Sequence, residues 1–136
     1  MKRIYSKKYP EKLLHIINNL EDILERTNVA PDNQFLQLAT LRMEKGKTFR
    51  AHQHIWKNSP TEKIIAQESW VVIKGSVKIY MYDVDGEFLE SEIINQGDCS
   101  MTFEGGHTYE ILENDTIVYE YKTGPYMGIE NDKVFL

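Results

Sequence analysis

Between residues 35 and 125 the chain is a succession of short β-prone runs, each closed by a Gly- or Asx-containing break. Such runs at spacings of about 8–12 residues specify an all-β sandwich or barrel. Residues 35–44 read as a strand with Phe35, Ala39, Leu41 and Met43 on one face, while Leu36 and Leu38 make the other face partly apolar. Residues 48–54 form the next strand, with Thr48, Arg50, His52 and His54 pointing one way. A loop over 55–63 and a strongly β-prone stretch over 64–74 follow. Gly75 marks a turn or bulge, and residues 76–82 alternate cleanly, with Val77, Ile79 and Met81 on one face. Asp83-Val84-Asp85-Gly86 supplies the positive φ of a hairpin turn, so 88–94 is the returning strand. Strands over 99–103, 107–112 and 117–122 complete the set.

The first 34 residues break this rhythm. Pro10, followed by Leu13, Ile17, Leu20 and Leu24 at helical spacing, predicts a helix over 9–26. The run Leu13-Leu14-His15-Ile16-Ile17 is apolar on both parities and equally open to a short strand. The expected organisation is therefore a helical or mixed segment, 1–34, packed outside a β-barrel, 35–136. The tail carries Tyr126, Met127, Ile129, Val134 and Phe135, so it is expected to pack back on the barrel. A strand apolar on both faces needs outer cover, which the N-terminal segment or a second subunit would provide.

Composition narrows the function classes. A chain of 136 residues with net charge −5 lacks the basic surface of a nucleic-acid binder. No apolar run approaches the roughly 18–20 residues of a membrane span. The basic start, Met1 to Lys8, is followed by no apolar stretch, so no signal peptide is expected. The single Cys99 allows no internal disulfide and is expected as a small buried apolar residue in a reducing cytoplasm.

The residues with chemistry are His52, His54, Glu68 and His107. His52 and His54 at i and i+2 leave one face of a strand. Glu68 opens a strand whose later residues are nearly all apolar, an odd place for an unpaired carboxylate. His107 follows Gly105-Gly106, where the backbone can turn tightly. Simpler readings exist for each: a polar strand face open to water for the histidine pair, a salt bridge from Arg50 to Glu68, and a hydrogen-bonded histidine at 107. Gln67 is the alternative inward donor to Glu68, because adjacent strand residues face opposite ways. No Gly-x-Ser-x-Gly elbow and no phosphate-binding Gly-rich loop is present.

These motifs resemble those of the cupin family. Gly46, five residues, then His52-Gln53-His54 matches the front of its first motif; Glu68, six residues, then Gly75 matches the back. Thirteen residues separate His54 from Glu68, where the family has three or four, so 55–63 is treated as an insertion at the barrel mouth. In the second motif Gly97, five residues, then Phe103-Glu104-Gly105 fits with Phe103 in place of proline. His107 arrives one residue early, and Ile111 stands where asparagine is usual. The tail Lys122 to Gly128 is similar to the ending of small cupins found with surface-polysaccharide and sugar-nucleotide biosynthesis.

The resemblance implies a double-stranded β-helix, or jelly-roll, barrel, and, as small cupins commonly pair through outer sheet faces, a homodimer for which Leu36 and Leu38 offer apolar surface. It implies one divalent transition metal, iron, manganese, nickel or zinc, held by His52, His54, Glu68 and His107. It further implies oxygenase- or isomerase-type chemistry on a small polar or carbohydrate-derived molecule, with Arg50 and Lys74 as groups that steer an anionic substrate. Two other functions fit the same residues. One is a non-catalytic sugar or sugar-nucleotide binding module. The other is a metal-free sugar-nucleotide isomerase or epimerase with a histidine base.

Overall fold

A computed structural model describes residues 1–6, 8–58 and 63–136. Its strands are β1 (Lys2–Tyr5), β2 (Leu13–Ile17), β3 (Arg26–Asn28), β4 (Leu36–Met43), β5 (His52–His54), β6 (Trp56–Asn58), β7 (Lys63–Ile65), β8 (Glu68–Lys74), β9 (Ser76–Tyr82), β10 (Phe88–Asn95), β11 (Cys99–Thr102), β12 (Gly106–Ile111), β13 (Thr116–Thr123) and β14 (Lys133–Phe135). Two five-stranded antiparallel sheets face each other, ordered β10-β9-β12-β5-β14 and β11-β8-β13-β4-β3. Two hairpins, β1–β2 and β6–β7, stand apart from them.

Alternation along the strands builds the interior in layers. On β8 the inward residues are Glu68, Trp70 and Val72; on β12 of the facing sheet they are His107, Tyr109 and Ile111, all buried. The first pair makes a polar layer. The second stacks ring on ring, with Trp70 and Tyr109 centroids 3.9 Å apart and planes 6° from parallel. The third joins Leu41, Met43, Val77, Ile79 and Val118 in an aliphatic layer. Full burial of such a side chain is worth roughly 1.5–3 kcal/mol, and this layer is the main apolar store of the fold.

The 83–86 turn forms as expected, with Asp83 N–H donating to Glu87 O at 2.8 Å and Gly86 at φ +89°. The N-terminal helix does not form. Leu13–Ile17 is a strand paired with Lys2–Tyr5, and the only helical elements among the described residues are three-residue 3-10 turns, Leu20–Asp22 and Ile129–Asn131. Apolar residues on both parities of 13–17 satisfy a strand as well as a helix, and pairing with β1 decides between them. The segment 26–28 lies in the sheet itself, as the edge strand beside β4.

The loop expected over 55–63 contains the β6–β7 hairpin; its residues 59–62 lie outside the described residues. Phe35 precedes β4 and is exposed. Cys99, expected to be buried, is exposed on the edge strand β11. The tail returns to the domain through its backbone, β14 pairing with β5 and extending its sheet, but the apolar side chains expected to pack, Tyr126, Met127, Ile129, Val134 and Phe135, stay exposed. No helix among the described residues is long and apolar enough to cross a membrane.

Candidate metal centre

β5 is only three residues long, but its alternation sends His52 and His54 inward and Gln53 outward. β12 lies beside it with His107 directly opposite His52. On its other side β12 lies against β9, and Gly105 lets the chain enter the strand there. This glycine sits at φ +82°, and a Cβ there would come within 2.5 Å of the Tyr82 carbonyl oxygen on the neighbouring strand. Glu68 enters from the facing sheet, so the four residues join the two sheets across the interior. The inserted β6–β7 hairpin accounts for the long His54–Glu68 gap. Trp56 on it donates Nε1–H to Glu104 at 3.1 Å, next to the glycine pair that precedes His107.

One potential ligand atom from each of His52, His54, Glu68 and His107 lies within 4.8 Å of all the others, and all four residues are buried. Glu68 Oε2 is 3.2 Å from His54 Nε2, and Oε1 is 3.1 Å from His107 Nε2 and from Trp70 Nε1. Burial pushes the Glu68 carboxyl up, but the hydrogen bonds from His107 and His54 outweigh it and hold the group well below the usual carboxylate range. Arg50 takes no part in holding Glu68.

Each imidazole is set differently. His52 donates Nδ1–H to the Arg50 carbonyl at 3.1 Å, which leaves a bare lone pair on Nε2, 2.9 Å from Lys133 Nζ. Burial first, and the nearby Lys133 charge second, push His52 down to about 4. His54 meets acceptors on both sides: Nδ1 is 3.2 Å from the Asp132 carbonyl and from its carboxylate, and Nε2 faces Glu68. Burial opposes protonation there, but Asp132 and Glu68 prevail and raise His54 above the ordinary histidine value. His107 Nδ1 is buried with no hydrogen-bond partner among the described residues.

The donor set fits a divalent transition metal. Three imidazoles and one carboxylate suit such ions, and the Nδ1 partners of His52 and His54 aim both Nε2 atoms at the shared centre.

The group opens on a cavity of about 290 Å³ lined by His52 and Glu68 at its floor. Trp70, Phe49 and Tyr126 give it aromatic walls; Arg26, Lys122 and Lys133 give it cations. Arg50 and Lys74 do not line it. Arg50 lies over the Phe135 ring, 4.3 Å from its centroid, and Lys74 at the far end of β8 pairs with Asp115. Two tail residues next to the site went unrecognised in sequence: Asp132, which holds His54, and Lys133, which meets His52. Their only sequence signal is an acid-base pair preceding a β-prone Val134-Phe135.

No protein-family model matches the chain, and no curated protein matches it by sequence. Solved structures do match. KdgF from Halomonas sp. is 18% identical, with TM-score 0.58 over 83% of this chain and 90% of KdgF. The capsular polysaccharide assembling protein CapF from Staphylococcus aureus is 16% identical, with TM-score 0.65 over 90% of this chain and 33% of CapF. Bacillus subtilis oxalate decarboxylase, in a structure concerned with its Mn(II) centres, is 19% identical, with TM-score 0.58 over 82% of this chain and 27% of that one. The chain thus spans nearly all of KdgF but about a third or less of the other two. With facing five-stranded sheets and a His₃Glu group between them, this chain has the cupin fold.

Proposed function

We propose that the protein holds one divalent metal ion through His52, His54, Glu68 and His107, and acts there on a small polar, carbohydrate-derived molecule. The observation that carries this reading is the convergence of four buried donors within 4.8 Å, two of which, His52 and Glu68, line a cavity. The Mn(II) centres of oxalate decarboxylase support a divalent ion, and CapF's part in capsular polysaccharide assembly supports a carbohydrate-derived substrate.

When bound, the ion supplies Lewis-acid or redox chemistry at the cavity floor. The chain's own residues do the rest. Asp132 fixes His54 through Nδ1, and the Arg50 carbonyl does the same for His52. Trp70 orients Glu68 through its Nε1–H. Phe49 and Tyr126 on the lining offer apolar surface to a sugar ring, while Trp70 is held by its stack on Tyr109.

A metal-free reading has one observation in its favour: His52 Nε2 faces the cavity unprotonated, as a general base would. Elemental analysis decides between the two. Protein purified without an affinity tag and reconstituted with iron, manganese, nickel or zinc should carry one ion per chain. Turnover of sugar substrates that persists in a chelator, with no metal bound, would transfer the role to His52.

A further inference from the structure

Most charges around the cavity are already matched. Arg26 pairs with Glu120 at 2.6 Å, and Lys122 with Asp132 at 3.1 Å. Asp32, the remaining acid on the lining, sits exposed. Lys133 differs. It stands directly opposite His54 in the β14–β5 ladder, which directs its side chain to the same inward face. Its Nζ has no carboxylate within salt-bridge distance among the described residues; its acceptor is His52 Nε2, at 2.9 Å.

That contact and a metal ion need the same lone pair. An ion on His52 Nε2 takes the acceptor from Lys133 and leaves its partly buried ammonium at the cavity with no hydrogen-bond acceptor among the described residues. The carboxylates of Glu68, Asp132 and Glu120 act on it only from beyond salt-bridge distance. Charge points the same way: Glu68 offsets one of the two charges of a divalent ion, and Lys133 adds one back. An unpaired buried charge is costly, so the loaded cavity favours a ligand that brings an anion to this spot.

Resting on the metal reading above, we infer that Lys133 is the specificity residue of the loaded site and that the ligand it selects carries a carboxylate. Metal loading releases Lys133 from His52, and the freed ammonium receives the carboxylate beside the ion. Arg50 and Lys74, pointed elsewhere, take no part in this contact.

Calorimetric titration of metal-loaded protein with glucuronate and glucose, which differ at one carbon, tests this. A charge-assisted contact predicts that glucuronate binds roughly ten- to hundredfold more tightly than glucose. Lys133→Met should abolish that preference while metal affinity stays equal or rises, because the competing ammonium is gone; Lys133→Arg should restore it in part. Inorganic phosphate serves as a third probe, and if it displaces glucuronate with higher affinity the assignment to a carboxylate is overturned. Metal uptake without a glucuronate preference, or a preference that survives Lys133→Met, overturns the inference and leaves the metal site standing. Failure of metal uptake overturns both.

Discussion

Glu68 and Val72 lie four residues apart on one strand, as do His107 and Ile111 on the strand opposite, and all four are at most 3% exposed. The aliphatic pair is stabilised by the burial itself, since leaving water is favourable for it. The polar pair is unfavourable in the interior until every charge finds a partner. That layer therefore carries its own scaffold of hydrogen bonds, from Trp70 below, from His54 alongside and from Asp132 on the tail. One end of the barrel holds the fold together; the other end is held together by it, at a cost that a bound ion would offset.

Single substitutions should separate the two layers. Glu68→Ala leaves His54 and His107 without their shared acceptor, and should destabilise the metal-free protein by about 3–5 kcal/mol in urea unfolding, with loss of metal uptake. A near-neutral result would mean the polar layer is not organised around this carboxylate.

Ile111→Ala should cost about 2–5 kcal/mol by the same measurement, through the cavity it leaves, yet retain one ion per chain. Metal at a hundredfold excess over its dissociation constant should then add about 2.7 kcal/mol to wild type and to Ile111→Ala alike, and nothing to Glu68→Ala. Loss of the metal increment in Ile111→Ala would show the layers to be coupled.

Asp132→Asn should weaken metal binding by about tenfold or more in a competition titration with a chelator, because Asp132 orients His54 from outside the donor set. It should also lower metal-free stability, because the buried Asp132 carboxylate pairs with His54 and Lys122.

The mildest effect is on pH dependence. His52 falls from 6.5 to about 4 on folding, so the unfolded chain binds the extra proton and stability declines as pH drops through that interval. The depressed Glu68 adds to the same acid limb. His54 is raised, so its contribution is complete below its unfolded value and is lost as pH climbs through its folded one. Unfolding of the metal-free protein across pH should therefore show greatest stability near about pH 6.5. Ile111→Ala should lower the whole curve without changing its shape; Glu68→Ala should flatten the alkaline limb.

Much of this molecule was legible in the sequence because its strands alternate with period two and its turns use residues chosen for backbone conformation. Val77-x-Ile79-x-Met81 and Asp83-Val84-Asp85-Gly86 carry those signals within a few residues. His52, His54, Glu68 and His107 were legible through their resemblance to the cupin motifs, from which the inserted hairpin and the early His107 depart. The 9–26 helix failed where the pattern was ambiguous: Leu13–Ile17 satisfies either period, and only its pairing with Lys2–Tyr5 selects the strand. Cys99 failed for a related reason, since an edge strand exposes a face that a central strand would bury.

Local patterning thus determined a sandwich or barrel of short strands, since side-chain direction follows from backbone period, and the resemblance to cupin motifs named four donors on it. Asp132 and Lys133 lie far from His52 and His54 in sequence, and no local rule links the two stretches. Only the β14–β5 pairing, a contact closed last along the chain, decided that an acid would brace His54 and a lysine would face the cavity. Long-range register is a property of the assembled sheet, and the placement of Asp132 and Lys133 beside His54 and His52 rests on it.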